Sequence, residues 1–170
     1  MNANTSNTDA QLIEQAKAGD QAAFKLLVDR YQGKVAGVVI GMMGRGMEAE
    51  DVGQETFIRF YRALSDFRGE SAVGTYLTRI AINLSLNALQ KRKRRFGEVD
   101  LETAAPELRG MGGTEAQERR EAKELVHKAL SRLKPEFRSV IVLRLLEGYS
   151  SKEAAEILEI PLGTVLSRLK

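Results

Sequence analysis

A chain of 170 residues, 43% hydrophobic and 29% charged with a net charge of +3, can pack one domain or two small ones, and any strongly basic surface on it must be local. The absence of cysteine excludes disulfides, thiolate metal sites and a thiol nucleophile, and the single histidine, His127, leaves no His-based triad or metal cluster. No apolar run approaches the roughly 20 residues that span a bilayer, and the polar start MNANTSNTDA lacks a signal-peptide core, so a cytoplasmic protein with no membrane insertion of its own is expected.

Helical periodicity dominates and β-type alternation is nearly absent. Thr8-x-x-Gln11 is a capping box that predicts a first helix, ended by Gly19. Asp20 caps a second helix, in which Phe24, Leu27, Val28, Tyr31 and Val35 share one apolar face. The run Gly41-Met42-Met43-Gly44-Arg45-Gly46 breaks it, and the two methionines read as core and loop filler. A third helix is predicted from about residue 48 to 64, with Val52, Thr56, Phe60, Ala63 and Leu64 toward the core. Asp51, Gln54, Glu55, Ile58 and Arg62 recur on a second face at i, i+3, i+4, i+7 and i+11. A polar face that holds an isoleucine is either a solvated face with one stray apolar residue or a docking strip for a partner helix.

The loop at 65–71 either connects helices or holds a flipped-out base against Phe67 and Arg68. A fourth helix begins after Ser71 with Val73, Tyr76, Leu77, Ile80, Ala81, Leu84 and Ala88 on its core face. It reaches Arg95, about 24 residues or ~36 Å long. Its polar face carries Thr75, Arg79, Asn83 and Asn87. Asparagine is a poor helix former, but its amide can read base edges. Lys91, Arg92, Lys93, Arg94 and Arg95 follow, complementing the helix dipole. They form either a phosphate-binding patch with steep salt dependence or a solvated or targeting run.

Residues 96–113, with GMGG at 110–113, read as an acidic flexible linker. Thr114-x-x-Gln117 is a second capping box, followed by an apolar face of Leu125, Val126, Ala129, Leu130 and Leu133. His127 lies near that face without a ligand type at i+3 or i+4 and reads as structural or surface. Pro135 opens the next helix, with Val140, Ile141, Leu143, Leu145 and Leu146 as its core, and Gly148-Tyr149 ends it.

In the last twenty residues Ser151 caps one short helix, and a turn at Glu159-Ile160-Pro161 leads into another. Pro161 stops the first of the pair, and Ala154, Ala155, Leu158, Ile160 and Val165 pack them together. The second helix starts at Gly163-Thr164, where a backbone amide can approach a phosphate. It carries Thr164, Ser167, Arg168 and Lys170 and no acid. That is the profile of a helix entering a DNA major groove; an ordinary two-helix hairpin is the alternative. The chain stops inside this helix, so the reading element is expected to be cut short. The expected fold is all-α, with two small helical domains at 1–95 and 114–170 joined by the 96–113 linker. No nucleophile–base pair or metal cluster is visible, so no enzymatic activity, metal or cofactor is expected.

Four segments then stand out in order: Asp51-Val-Gly-Gln54-Glu55-Thr-Phe57, Phe67-Arg-Gly-Glu-Ser71, Arg79-Ile-Ala-Ile-Asn83, and Pro161-Leu-Gly-Thr-Val165 with Ser167-Arg168. Through them the chain, from about Asp9 to Lys170, resembles the bacterial extracytoplasmic-function (ECF) sigma factors, group 4 of the sigma-70 family, of the stress sigma-E-like kind. The resemblance implies a region 2 bundle at 1–95 and a region 4 helix-turn-helix at 114–170. It implies that Asp51, Gln54, Glu55, Ile58, Arg59 and Arg62 dock on the clamp coiled coil of core RNA polymerase. It assigns the −10 promoter element to Phe67, Arg68, Arg79, Asn83, Asn87, Lys91, Arg92, Lys93, Arg94 and Arg95. It assigns the −35 element to Ser151, Gly163, Thr164, Ser167, Arg168 and Lys170, and it adds an anti-sigma factor as partner. Gly53, Tyr76, the Val73-Gly74 pair and Glu159 depart from the family pattern. The alternative is a stand-alone helix-turn-helix regulator that does not bind polymerase.

Overall fold

The computed structural model describes residues 7–97 and 113–170, and among them there are helices and no strands. The first block consists of α1 (Asp9–Lys17), α2 (Gln21–Met43), α3 (Met47–Ala63), a 3₁₀ turn (Leu64–Asp66) and α4 (Val73–Phe96). The second consists of α5 (Glu115–Ser131), α6 (Pro135–Ile141) running into a π-helical turn (Val142–Leu146), α7 (Ser151–Leu158) and α8 (Leu162–Arg168). Most of the expected linker, 98–112, lies outside the described residues.

The starts of the first helices follow from capping. Thr8 and Gln11 exchange both capping-box hydrogen bonds, and Gly19 leaves α1 with φ +98°. Asp20 accepts the amides of Ala22 and Ala23 at the head of α2. That helix continues through Gly41 to Met43, two residues beyond the start of the expected break, with Gly44 as its C-cap. The core of the block is built from Leu12, Leu27, Val35, Val38, Val39, Met42, Phe60, Leu77 and Ile82, all at or below 2% exposure. Phe60 stands at its centre, with the rings of Phe24, Phe67 and Tyr76 each 5.9 Å away. Edge-to-face and tilted aromatic contacts at this spacing add to simple apolar burial.

The second block departs from the sequence reading in five places. Thr114 sits at the N-cap of α5, but its side chain makes no capping hydrogen bond. Ser150, rather than Ser151, caps α7, exchanging a full capping box with Glu153. The π-helical turn inserts a residue into the apolar pattern. Val142 and Leu143 are therefore buried, while Leu145 (70% exposed) and Leu146 face outward. Most of the expected apolar face of α5 is also on the surface, with Leu130 its one fully buried member. In the helix-turn-helix, Val165, Ala154 and Ile157 close the core, with Ile157 replacing the expected Leu158 as the inward residue. Glu159 makes the turn at φ +55°, the sole non-glycine with positive φ among the described residues. The amide of Ile160 reaches back to the carbonyl of Ala155 at 3.1 Å, which satisfies the end of α7.

The blocks pack on each other through α2 and the π turn and through α4 and α7. Arg138 carries much of this junction. Its buried guanidinium donates to the carbonyl of Met42 at the end of α2, and to those of Ser131 (2.9 Å) and Leu133 (2.8 Å) at the end of α5. Burial pushes its pKa down, with the charge of Arg92 adding to the effect. A flexible linker at 96–113 led to the expectation that the two blocks move independently; the structure instead packs them on each other, because Arg138 and the π turn satisfy groups on α2.

Candidate nucleic-acid interface

α3 buries Ala49, Val52, Thr56 and Phe60 on one side. Thr56 is tolerated there because its hydroxyl donates to the carbonyl of Val52 at 2.8 Å. The opposite side presents Asp51, Gln54, Ile58, Arg59 and Arg62 exposed and Glu55 half-buried. Glu55 and Arg59 pair across one turn at 3.0 Å. Ile58, 43% exposed, remains an apolar island in this polar strip. Beside the strip a groove of about 620 Å³ runs between α2 and α3, lined in part by Gln32, Ala36, Arg45, Gln54 and Phe57. Sequence reasoning missed it. The available signal was Gly33 and Gly53: both are helix-interior glycines, and a Cβ on either would meet nothing within 4 Å.

The loop before α4 corrects one expectation. Phe67 is not a free stacking platform: its ring is 8% exposed, 5.1 Å from Tyr76 and edge-on to Phe60. Its carbonyl accepts from Lys17 at 2.8 Å. An apolar ring beside an unfilled aromatic core gains more from burial than from a loop position. Arg68 is exposed next to it.

Along α4, Arg79, Asn83, Asn87, Lys91 and Arg95 follow one i, i+4 row. Asn83, Asn87 and the five cations at 91–95 are exposed, and Thr75 is half-buried. Arg92 pairs with Glu48 of the first turn of α3, its Nε 3.0 Å from the carboxylate. Arg79 is half-buried. Its Nη2 donates to the carbonyl of Glu156 in α7 at 3.4 Å, and its Nε is buried without a partner.

In the second block Gly163, Ser167 and Lys170 are exposed, and Ser151, Thr164 and Arg168 are half-buried. Ser167 donates to the carbonyl of Thr164 at 3.0 Å, and Arg168 to that of Glu136 at 3.4 Å. His127, on α5, has its pKa lowered by burial and by the nearby charges of Arg45 and Lys123. Among the described residues, no cluster of His, Asp and Glu is placed to hold a metal, and no helix is long and apolar enough to cross a membrane.

A packed helical bundle with a polar strip around an exposed isoleucine and a cationic row, followed by a helix-turn-helix, is the architecture of a transcription protein of the sigma type. The Sigma-70 region 2 family matches residues 27–95, and Sigma-70, region 4 matches residues 123–170. The ECF RNA polymerase sigma-E factor of Escherichia coli (strain K12) is 40% identical over 95% of this chain and 88% of its own. An engineered region 2 of sigmaE, solved by NMR in complex with GTAAAA, is 44% identical over 55% of this chain and 97% of its own, with a TM-score of 0.51. The sigma factor RpoE, crystallised with the anti-sigma factor NepR from Bartonella quintana, is 25% identical over 86% of this chain and 89% of its own, with a TM-score of 0.64. The chain belongs to the sigma-70 family, and within it to the ECF sigma factors. A region 2 match over the first block sets aside the stand-alone regulator.

Proposed function

We propose that the chain acts as a promoter-specificity subunit, lending sequence recognition to core RNA polymerase in the cytoplasm and performing no chemical step of its own. One observation carries this reading: the first block presents two unlike faces on different helices, the α3 strip centred on Ile58 and the cationic row of α4. An exposed isoleucine ringed by polar side chains suits a protein partner, and a row of asparagines ending in cations suits nucleic acid. On this reading residues 1–95 and 114–170 are the two domains. Asp51, Gln54, Glu55, Ile58, Arg59 and Arg62 meet the clamp coiled coil of the polymerase. Arg68, Arg79, Asn83, Asn87 and residues 91–95 meet the −10 element, and Phe67 supports their loop from inside. Ser151, Gly163, Thr164, Ser167, Arg168 and Lys170 serve the −35 element. The complexes of relatives with GTAAAA and with NepR support a sequence-reading role for the first block and control by an anti-sigma factor.

Reconstituted transcription tests the proposal. Core polymerase supplied with this chain and a randomised promoter library should start transcripts downstream of paired −35 and −10 motifs. A chain that binds duplex promoters tightly alone, yet neither co-purifies with core polymerase nor directs any start, would overturn it.

A further inference from the structure

α4 outruns the bundle it belongs to. Leu84 and Ser85 are buried and Leu89 packs against the core, but residues 90–96 are all exposed. This tail carries five consecutive cations. Lys91 therefore neighbours Arg94 and Arg95, and Arg92 neighbours Arg95, at the i, i+3 and i, i+4 spacings where like charges destabilise a helix. The five do not share one face. At about 100° per residue, Lys91, Arg94 and Arg95 lie within about 80° of Asn87, whereas Arg92 lies about 140° from it. Ser85, Leu89 and Arg92 follow one another at i, i+4 and i+7, so Arg92 stands where the buried stripe of α4 leaves the bundle.

Glu48, in the first turn of α3, meets it there. One carboxylate oxygen accepts from Arg92 Nε at 3.0 Å and also from its Nη2. The charge of Arg92 also lowers the pKa of the buried Arg138, which places this guanidinium against the body of the protein. Each partner suits the helix end that carries it, an acid at the start of α3 and a cation near the close of α4. Exposed ion pairs usually contribute little, and Glu48 and Arg92 are 47% and 43% exposed. This pair, however, is a two-donor contact acting on a tail whose side chains are otherwise out in solvent. Resting on the sigma-factor reading above, we propose that Glu48 is a positioning residue for the −10 face: it holds Arg92 as a strut, which keeps the tail of α4 helical and leaves Lys91, Arg94 and Arg95 aimed at phosphates. Within the run 91–95, Arg92 then serves DNA binding through the fold and not through a phosphate of its own.

Salt separates a strut from a phosphate contact, because each contact adds about 0.7–0.9 to the slope of log affinity against log salt. The test titrates preformed complexes of core polymerase with each full-length variant onto one promoter across a salt series. Arg94→Ala should reduce the slope by about 0.7–0.9. Arg92→Ala should leave the slope unchanged while weakening binding about threefold, within the range of an exposed ion pair. Glu48→Gln removes an acid, and would tighten DNA binding if net charge alone mattered. It should instead weaken binding as much as Arg92→Ala, and the double variant should be no weaker than either single one. The exchange Glu48→Arg/Arg92→Glu rebuilds the pair in reverse, so it should restore most of the affinity lost by Arg92→Glu alone. The strut is overturned by a slope that falls with Arg92→Ala, or by a Glu48→Gln protein that binds as tightly as wild type or more so. It is also overturned by an exchange as defective as Arg92→Glu. If Arg94→Ala leaves the slope unchanged, the row meets no phosphate, and the reading on which the strut rests is overturned instead.

Discussion

Substitution of Ile58 measures what the α3 strip is for. Burying an isoleucine completely contributes about 1.5–3 kcal/mol. With 43% of its surface open, Ile58 has about 0.6–1.3 kcal/mol left to gain from a partner. Ile58→Ala should therefore weaken core-polymerase binding by about threefold to tenfold. Ile58→Asp loses that area and also places a carboxylate in the dry contact, so it should cost at least ~3 kcal/mol, about a hundredfold or more. The covered remainder of the side chain contributes about 0.9–1.7 kcal/mol to folding, so both variants should melt a few degrees lower yet stay folded at the assay temperature. The assay is competition between each variant and labelled wild type for core polymerase, with circular dichroism melting run in parallel. If Ile58→Asp, folded at the assay temperature, competes as well as wild type, Ile58 is a stray surface residue and the strip binds nothing.

Asn83→Ala should change the preferred base at one −10 position by ~1–3 kcal/mol, whereas Lys91→Ala with Arg94→Ala should weaken all sequences alike and flatten the salt dependence; a base-preference profile that ignores Asn83 would refute its role. Phe67→Ala should lower stability by about 3–5 kcal/mol, and Phe67→Leu should restore much of it while leaving base preference intact; a stable Phe67→Leu protein that no longer reads −10 DNA would return the ring to the DNA. The Glu153 carboxylate accepts the Ser150 amide at 2.7 Å, and this backbone bond, with the side-chain bond to Ser150, holds its pKa below the usual carboxylate value. A folded pKa below the unfolded one gives stability at neutral pH that is lost as pH falls through the carboxylate range, so Glu153→Gln should melt with a shallower pH dependence between neutrality and about pH 3; an unaltered dependence would mean that the capping box carries no linkage.

What the sequence discloses and what it hides follow from the range of the forces involved. α1 to α4 are legible because their signals are local: Thr8 and Gln11 close a box three residues apart, Asp20 caps its own helix, and Val52, Thr56 and Phe60 repeat at helical spacing. The α3 strip and the exposed row of α4 are legible for the same reason. Phe67 was misplaced because its environment comes from Phe60 and Tyr76, on other elements. Leu145 and Leu146 were misplaced because a single residue inserted at the π turn rotates everything after it by about 100°. The docking of the two blocks left no periodic trace. Gly37, Gly41, Arg138 and Tyr149 each look like a local irregularity until the other block is set against them.

Arg138 also imposes an order in time. The carbonyl of Met42 is closed by a side chain 96 residues further along the chain. At a synthesis rate of about 5–20 residues per second, that partner follows on the order of 5–20 s later. During this interval the nascent first block has an open end on α2, and Gly37 and Gly41 face no opposing side chain. The end of α2 is thus left to water until the helix that carries Arg138 has been made, and the junction between the blocks closes only then.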